Sequence, residues 1–252
     1  MADERIKPDA AAPGEMTDDE FEALMMEMMK KMKAPETPTM SQEQLSAECQ
    51  RLAAARACEN ILGRWSYLFT AGRMREIDEL FAHSDSDRII MPYGMYTGAD
   101  AARRCFVEDL VDRDTEDSAR YEELKGRMMI TDLCTPVIEV AGDGKTAKAL
   151  WVAPGLEAHN TANGSHGWWS WARIAADLIL TGDGWRIWHL GKYMYFSCRY
   201  DENWAKSPKF IFTPARCSAD APAPIQYYYS ADAIYPDEEP PVPVPYESWT
   251  EN

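Results

Sequence analysis

Hydrophobic positions recur about every four residues in the first half of the chain and about every two residues from residue 127 onward. Ser41, with Gln44 three residues later as a capping-box partner, predicts the start of a long helix whose apolar stripe extends to Ala71. The segments MREIDELFA and ADAARRCFVEDLVDRD predict two further helices, and DRIIMPYGMYTG between them predicts a strand and a Gly-rich turn. The main domain therefore begins with three helices.

The second half of this domain predicts four long strands: RMMITDLCTPVIEV, GKTAKALWVAPGLEA, GSHGWWSWARIAADLIL and GWRIWHLGKYMYF. The segments AGDGK and TGDGW are typical of tight hairpin turns. Helices followed by an antiparallel meander predict an α+β domain over residues 41–196, rather than alternating strands and helices.

Two extensions flank this domain, at residues 1–40 and 197–252. The first contains TDDEFEALMMEMMKKMK, an expected helix with Thr17 as its cap and methionines that offer an adaptable apolar surface. This surface suits packing on the chain's own core or on a neighbouring subunit, with a pocket lid as the alternative. The second ends in PDEEPPVPVPYESWTEN, which predicts an extended arm anchored by Tyr246 and Trp249 on the body or on an adjacent subunit, or else an SH3-type ligand.

Composition and charge argue against several classes of partner and cofactor. The formal net charge of −16 argues against nucleic acid and against an anionic membrane surface, since both attract basic faces. Six cysteines without a C-x-x-C pair indicate reduced thiols in a cytoplasmic protein, and neither a secretory signal nor a run of about eighteen apolar residues is visible. No metal-ligand spacing, phosphate loop or dinucleotide fingerprint occurs, so we expect no metal and no cofactor.

Three motifs in order, AGRMREIDELFA, PYGMYTGADAARRCF and GDGWRIWHLGKY, resemble the SnoaL-like branch of the NTF2-like superfamily over residues 42–196. The resemblance implies a cone-shaped barrel in which three N-terminal helices pack on a curved antiparallel sheet, with a pocket between the concave sheet and the long first helix. Such cones include ketosteroid isomerases, polyketide cyclases, scytalone dehydratase, lyases of lignin-derived aryl compounds, dioxygenase small subunits and non-catalytic binding modules. The fold alone therefore does not give the function.

The resemblance argues against ketosteroid isomerase activity. It places Trp65, Met91 and Ala176 where those isomerases carry an oxyanion tyrosine, an aspartate base and a protonated aspartate. None of these three roles is available to the residues present.

The last strand holds the leading catalytic candidate. The resemblance directs Ile187, His189, Gly191 and Tyr193 into the pocket, and Arg186, Trp188, Leu190 and Lys192 away from it. Imidazole titrates near neutral pH, which suits a general base, and a phenol can stabilise a developing oxyanion. The alternative is a histidine that only hydrogen-bonds within the core.

Three other residues are candidates for proton transfer or oxyanion binding. Asp132 is the only acid in the apolar segment MITDLCTP, where burial would raise its pKa, although exposure at a sheet edge explains it equally well. Tyr93 and Tyr96 flank the glycines of PYGMYTG near the expected mouth of the cone, where turn packing is the alternative.

Tryptophans dominate the expected binding surface. The expected register sends Trp151 and Trp168 to the same side as Trp65, and Trp169 and Trp171 to the opposite face, which suits a subunit interface. The remaining binding candidates are Met91, Tyr67, Tyr96 and His166. Ordinary core packing is the alternative explanation for much of this aromatic set.

Together these features predict a cofactor-independent lyase, dehydratase or isomerase that acts on a small aromatic or polycyclic molecule in a homo-oligomer, either a dimer or a trimer. His189 would remove a proton, and Tyr193, Tyr93 or Asp132 would stabilise or protonate the oxygen. The resemblance to lignin-compound lyases suggests retro-aldol release of formaldehyde from diaryl propanediols. The alternatives are a non-catalytic ligand carrier, a module whose pocket is filled by its own side chains, and the small subunit of a dioxygenase.

Overall fold

The computed structural model describes residues 18–31, 40–161, 163–224, 228–234 and 239–250. The chain divides into two compact units, Met1–Leu45 and Ser46–Asn252. The first unit contains α1 (Asp18–Lys31), whose apolar side chains Phe21, Met26 and Met28 are exposed. The expected Thr17 cap lies outside the described residues.

The long helix α2 (Gln42–Ala71) begins and ends with local signals. The amide of Gln44 donates to Ser41 Oγ at 3.1 Å and the amide of Ser41 donates to Gln44 Oε1 at 2.9 Å, which confirms the predicted capping box. At the other end Gly72 has a φ of 73° and its amide donates to the Phe69 carbonyl, which is a glycine C-cap.

Short elements connect α2 to the sheet: α3 (Met74–Asp78), β1 (Arg88–Met91), β2 (Gly94–Thr97), a π-helix (Arg103–Asp109) and α4 (Ser118–Glu123). The third predicted helix is thus present in part as a π-helix, and the predicted strand and turn form a hairpin of two strands. Helix α4, which the sequence did not predict, is capped by the Asp117 carboxylate on the amides of Ala119 and Arg120.

The remaining strands are β3 (Met128–Thr131), β4 (Cys134–Val140), β5 (Thr146–Thr161), β6 (Gly164–Thr181) and β7 (Gly184–Arg199). They form a curved, unclosed sheet in the order β2-β1-β7-β6-β5-β3, with β4 also paired to β5. The α+β class and both hairpin turns are confirmed. The expectation of a wholly antiparallel sheet is corrected, because β1 runs parallel to β7. Only strands joined by hairpins must be antiparallel, and no hairpin joins these two.

One face of the sheet packs against the helices, and we call it the inner face and its opposite the outer face. The inner face forms one hydrophobic core together with α2, α3 and the π-helix. Among the residues of this core are Cys58, Leu62, Trp65, Phe69, Met74, Ile77, Phe106, Trp151, Ala172, Ile174 and Leu178. Strands β5 and β6 pair without a register shift, so their side chains alternate strictly. Trp168 therefore shares the inner face with Ala172, and Trp169 and Trp171 lie on the outer face, as predicted.

A β-bulge in β7 interrupts this alternation. Asp177 of β6 pairs with His189, while the next residue, Leu178, pairs with Ile187, so that Trp188 is an additional residue in β7. From His189 to Met194 the side chains therefore point to the face opposite to the one that uninterrupted alternation predicts, and a second register shift at Tyr195 restores the original alternation.

The bulge corrects the predicted register of the last strand. His189, Gly191 and Tyr193, which were expected to face the pocket, lie on the outer face. Leu190 and Lys192, which were expected to face away, lie on the inner face: Leu190 belongs to the core and Lys192 approaches Glu157.

The chain after β7 contacts both faces of the sheet. Residues 208–212 follow the end of β7, where the amide of Phe210 donates to the Ser197 carbonyl at 2.7 Å. Residues 239–250 lie on the outer face: the Tyr246 hydroxyl lies 3.1 Å from Thr146 Oγ1, and the Trp249 ring lies 4.6 Å from the Trp188 ring. Both predicted anchors thus contact the body of the same chain. Within the ranges described, no helix combines the length and apolar character needed to cross a membrane.

Candidate active site

Three ionisable side chains meet on the inner face, near the end of β5. Glu157 Oε1 lies 3.8 Å from Lys192 Nζ, and Glu157 Oε2 lies 3.6 Å from His159 Nε2. Only 15%, 6% and 12% of the side chains of Glu157, Lys192 and His159 are exposed. Alternation along β5 places Glu157 and His159 on the same face as Trp151, and the bulge in β7 directs Lys192 to that same inner face. We call these three residues the acid–base cluster.

The neighbouring groups of the acid–base cluster stabilise the charged form of Glu157. Burial alone would raise the pKa of Glu157, but contact with His159 and the positive charges of Lys192 and Arg127 lower that pKa below its ordinary value. The carboxylate is therefore ionised at neutral pH next to a buried ammonium group. Both separations exceed a hydrogen-bond length, so these groups retain capacity for further hydrogen bonds.

A small pocket adjoins the acid–base cluster, and we call it the mouth pocket. Its lining includes Glu157, Lys192, Phe69, Met91, Tyr93, Met129, Met194, Phe210 and Phe212, and its volume is about 30 Å³. Burial raises the pKa of Tyr93, so its phenol stays protonated and is a hydrogen-bond donor. The Tyr93 hydroxyl contacts only the weak acceptor Cys105 Sγ, at 3.9 Å, among the described residues.

Two phenylalanines from the segment after β7 line the mouth pocket and cover two rings of the inner face. The Phe210 ring stacks on Trp168 with centroids 4.8 Å apart, and the Phe212 ring stacks on His159 at 4.5 Å with an interplanar angle of 2°. The inner face thus offers two flat stacking surfaces, and both are covered by the chain's own side chains.

A larger cavity of about 290 Å³ lies between the end of α2 and α4, and we call it the helix-end cavity. It shares the side chains of Phe69 and Met129 with the mouth pocket. Arg127 also lines it, with its guanidinium 5.6 Å from the Phe212 ring. The two cavities are therefore neighbours on the helix side of the sheet.

Four of the seven predicted binding residues are core residues. Trp65 stacks on Phe69 at 5.2 Å, and Trp65, Met91, Tyr96 and Trp151 are each at most 3% exposed. The Tyr96 hydroxyl donates to the Asp109 carboxylate at 2.8 Å. Of these four residues only Met91 lines a described cavity, the mouth pocket, so the binding role expected for the other three is replaced by packing.

Two other candidates lie at the surface, and for Asp132 this is the exposed alternative that the sequence left open. Tyr67 is 82% exposed, since it lies on the side of α2 that faces away from the core. Asp132 is also exposed and lies between β3 and β4, with its amide bonded to the Pro154 carbonyl. Neither residue lines a cavity among those described.

Trp168 and His166 lie near the open end of the inner face. Trp168 carries the Phe210 ring, and its own indole Nε1 has no hydrogen-bond partner among the described residues. The His166 ring lies 6.1 Å from Trp168, and its Nδ1 lies 3.3 Å from Arg199 Nη2. These two residues therefore remain candidates for contact with a ligand at the mouth.

His189 lies on the outer face, in a groove of about 450 Å³ between the sheet and residues 240–250. Its Nδ1 lies 2.8 Å from the Asp177 carboxylate and its Nε2 lies 3.0 Å from the Ser86 carbonyl oxygen. Both neighbours are acceptors, so both bonds require a proton on each ring nitrogen. While they hold, neither nitrogen has a free lone pair for a substrate proton, and His189 links the loop containing Ser86 to β6.

Tyr193 lines the same outer groove, and its ring covers Gly191. A Cβ on Gly191 would lie 2.4 Å from Tyr193 Cε2, so a larger residue at position 191 would require the Tyr193 ring to move. Burial raises the pKa of Tyr193. The four predicted catalytic residues are thus not brought together: His189 and Tyr193 lie on the outer face, Tyr93 lies on the inner face, and Asp132 is exposed.

The acid–base cluster was missed for different reasons. Glu157 stands six residues after Trp151 on the same strand, so alternation from Trp151 would have placed it on the inner face. Lys192 could not be found in this way, because the bulge reverses its direction. His159 lies just beyond the predicted strand GKTAKALWVAPGLEA, which ends at Ala158, whereas β5 extends to Thr161. Within the described ranges, no group of three or more His, Cys, Asp or Glu side chains is arranged to hold a metal ion.

Comparison with known proteins identifies a family. The SnoaL-like domain family matches residues 50–191, more than half of the 252 residues. No curated protein matches the chain.

Several solved structures resemble this fold. An NTF2-like protein with a cystatin-like fold from Novosphingobium aromaticivorans is 15% identical, with 66% of this chain and 94% of that chain covered and a TM-score of 0.44. A hexachlorocyclohexane dehydrochlorinase from Novosphingobium barchaimii is 13% identical, with coverages of 62% and 96% and a TM-score of 0.46. An NTF2-like superfamily protein from Salmonella enterica is 16% identical, with coverages of 56% and 91% and a TM-score of 0.44. At these identities the likeness concerns the fold alone.

Proposed function

The chain belongs to the SnoaL-like domain family, and we propose that it is a cofactor-independent lyase, dehydratase or isomerase that acts on a small aromatic molecule by proton transfer. The observation that supports this proposal most directly is the buried carboxylate of Glu157 beside the ammonium of Lys192 and the imidazole of His159, on the side of the sheet that faces the helices.

Such a cluster is costly for a protein that uses it only for packing. Each charge removed from water carries a desolvation penalty of several kcal/mol, and well-packed apolar side chains of similar volume often stabilise a fold as well or better. Buried charges with perturbed pKa values therefore occur preferentially at functional sites. Here His159 Nε2 has no hydrogen-bond partner among the described residues, which leaves it available to a ligand.

The proposed roles follow from the chemistry of each group. Glu157 is ionised and takes a proton from a hydroxyl or an activated C–H of the substrate. Lys192 stabilises the negative charge that develops on the substrate oxygen, and His159 exchanges the proton with Glu157. Tyr93, whose phenol stays protonated, donates to the leaving or developing oxygen.

The stacking surfaces at the mouth support an aromatic substrate. Phe210 and Phe212 cover Trp168 and His159 in the way that two aryl rings of a ligand would. In this proposal the segment containing both phenylalanines moves aside when substrate binds. Retro-aldol release of formaldehyde from a lignin-derived diaryl propanediol is one specific reaction within this proposal.

The second candidate is a non-catalytic module whose pocket is filled by its own side chains. The observation that favours it is the residual volume of the mouth pocket, about 30 Å³, which remains while Phe210 and Phe212 are in place. In that case the chain would bind no aromatic compound at the mouth.

Turnover measured on matched variants tests the proposed enzyme. The protein is mixed, without added metal or cofactor, with aryl diols, β-hydroxy ketones and polyketide-like ring compounds, and new ultraviolet absorbance and released formaldehyde are followed. We expect Glu157→Gln to lose at least about a hundredfold in rate on any compound that is turned over, since general bases typically contribute that much or more. Asp132→Asn, which changes an exposed carboxylate, is the matched control and should keep the rate. Equal rates in both variants would remove Glu157 from the mechanism, and neither turnover nor binding of any compound would favour the filled module.

We also propose a cytoplasmic homo-oligomer. Trp171 and Leu156 are 41% and 45% exposed on the outer face, and large apolar side chains in that position support a contact with a second copy. Light scattering coupled to size-exclusion chromatography measures the assembly directly, and a mass of 28.6 kDa would contradict it.

A further inference from the structure

We propose that the helix-end cavity binds a small aromatic carboxylate, whose carboxylate group pairs with Arg127 and whose ring occupies the apolar part of the cavity. This inference deepens the proposed function by naming a substrate class, and it depends on that function only for turnover and not for binding.

The lining of the helix-end cavity combines apolar and basic side chains without any acid. Its residues are Phe69, Thr70, Ala71, Gly72, Met74, Val111, Arg113, Tyr121, Leu124, Lys125, Arg127 and Met129. The whole chain carries 42 acidic and only 26 basic residues, so a cavity with three basic residues and no carboxylate departs from the character of the protein. A positive lining in an acidic protein favours an anionic ligand.

Two of the three basic residues already have acidic partners. Lys125 Nζ lies 2.7 Å from Glu122, and Arg113 Nε lies 3.2 Å from Asp114. Both are more than half exposed, where such pairs contribute little. Neither one is therefore expected to bind the ligand strongly.

Arg127 differs, because no carboxylate of the described residues lies within ion-pair distance of it. Its Nη1 donates to the Leu110 carbonyl at 2.5 Å, while Nε and Nη2 point at Met129 Sδ from 3.1 and 2.9 Å. A thioether is a weak acceptor, so the guanidinium has most of its five donors poorly satisfied. Burial lowers the pKa of Arg127, and the charges of Glu157 and Glu123, which lie beyond ion-pair distance, raise it only in part. The guanidinium nevertheless stays charged at neutral pH.

The geometry of Arg127 selects a carboxylate in particular. A planar guanidinium binds a carboxylate through two parallel hydrogen bonds, which are stronger than neutral hydrogen bonds. The Nε and Nη2 donors that now point at Met129 form one edge suited to this bidentate contact. Methionine is flexible, so its side chain can move when a better acceptor arrives.

The cavity volume selects the size of the ligand. About 290 Å³ lies at the lower end of the range of small-molecule pockets, roughly 300 to 1,000 Å³. Phe69, Met74 and Val111 supply an apolar wall for one ring. Since Phe69 and Met129 also line the mouth pocket, a group on the far side of that ring would point toward the acid–base cluster.

Isothermal titration calorimetry with benzoate and benzamide tests the inference, because these probes have nearly the same shape and differ in charge. We expect benzoate to bind at least about tenfold more tightly than benzamide, since hydrogen bonds between a guanidinium and a carboxylate are about twice as strong as those to a neutral amide. Arg127→Met should abolish this preference, and Arg113→Met, at the rim of the same cavity, should keep it. Arg127→Lys retains the charge without the fork, and should retain part of the preference even if Arg127→Met fails to fold.

Three results would overturn the inference: no binding of benzoate, equal binding of both probes, or an unchanged preference in Arg127→Met. The experiments distinguish a failure of this inference from a failure of the proposed enzymatic function. Binding of benzoate that depends on Arg127, without turnover of any aromatic acid, would leave the ligand class in place and count against the enzyme. If only neutral compounds were turned over, in a reaction that depends on Glu157, the result would contradict the proposal of a carboxylate ligand and would support the proposed enzyme.

Discussion

Replacing Lys192 with methionine should destabilise the protein in a way that depends on pH. Two unit charges 3.8 Å apart attract by about 4 kcal/mol at an effective dielectric constant of about 20. Removing one partner of a buried pair costs about 3–5 kcal/mol, because the other charge remains buried without compensation. We therefore expect the free energy of unfolding of Lys192→Met to be about 3 kcal/mol lower than that of the unchanged protein at pH 7.

The sign of the pH dependence follows from the pKa of Glu157. In the unchanged protein this pKa lies below its ordinary value of 4.5, so the stability contributed by Glu157 is present above pH 4.5 and is lost as the pH falls through the folded-state pKa. Without Lys192, burial should outweigh the remaining contacts and raise the pKa above 4.5. The destabilisation by Lys192→Met should then shrink as the pH falls from 7 toward 4.5, because the folded variant takes up a proton first.

Urea unfolding followed by tryptophan fluorescence between pH 4 and 7.5 measures both quantities. The matched control is Lys192→Met introduced into Glu157→Gln, where no buried carboxylate remains and the loss should be small and independent of pH. A penalty of the same size at pH 4.5 and pH 7, or one that persists in the Glu157→Gln background, would refute this electrostatic account.

Three further predictions concern the outer face and the thiols. Asp177→Asn weakens the 2.8 Å bond to the imidazole and should lower the free energy of unfolding by about 1–3 kcal/mol in urea titrations, whereas no change would mean that this bond contributes nothing to stability. Trp249→Ala removes the ring contact between the C-terminal arm and Trp188, so limited proteolysis should cleave the arm faster; Val244→Ala, at a position 69% exposed, should leave the cleavage rate unchanged. Burial raises the pKa of Cys58 to about 12, so peptide mapping after brief alkylation of the native protein should show label on the exposed Cys134 and little on Cys58, and equal labelling would contradict the buried position.

Features set by neighbouring residues were predictable from the sequence. Ser41 and Gln44 form the predicted capping box, and the AGDGK and TGDGW segments form the predicted hairpins. In β6, which pairs with β5 without a shift, alternation alone places Trp168 and Trp169 on opposite faces. In each case the physical cause lies within a few residues along the chain.

Features set by distant contacts were not predictable from the sequence. The bulge at Trp188 leaves no mark in the hydrophobic pattern, because Trp188, His189 and Leu190 all stand in an aromatic and apolar stretch, yet it moves His189 to the outer face and Lys192 to the inner face. The contact of Phe212 with His159 depends on the path of the chain after β7, where the described residues form no helix or strand that a hydrophobic period would predict. The candidate site therefore had to be located from the fold.

We propose that proton transfer takes place at the inner face of the sheet and not in the outer groove. The most direct measurement compares kcat/KM of Glu157→Gln and His189→Gln on the same aromatic substrate, with both variants shown to be folded by circular dichroism. We expect kcat/KM to fall at least about a hundredfold in Glu157→Gln and to change by less than about threefold in His189→Gln. The reverse result would contradict the claim and place the proton transfer at the pair formed by His189 and Asp177.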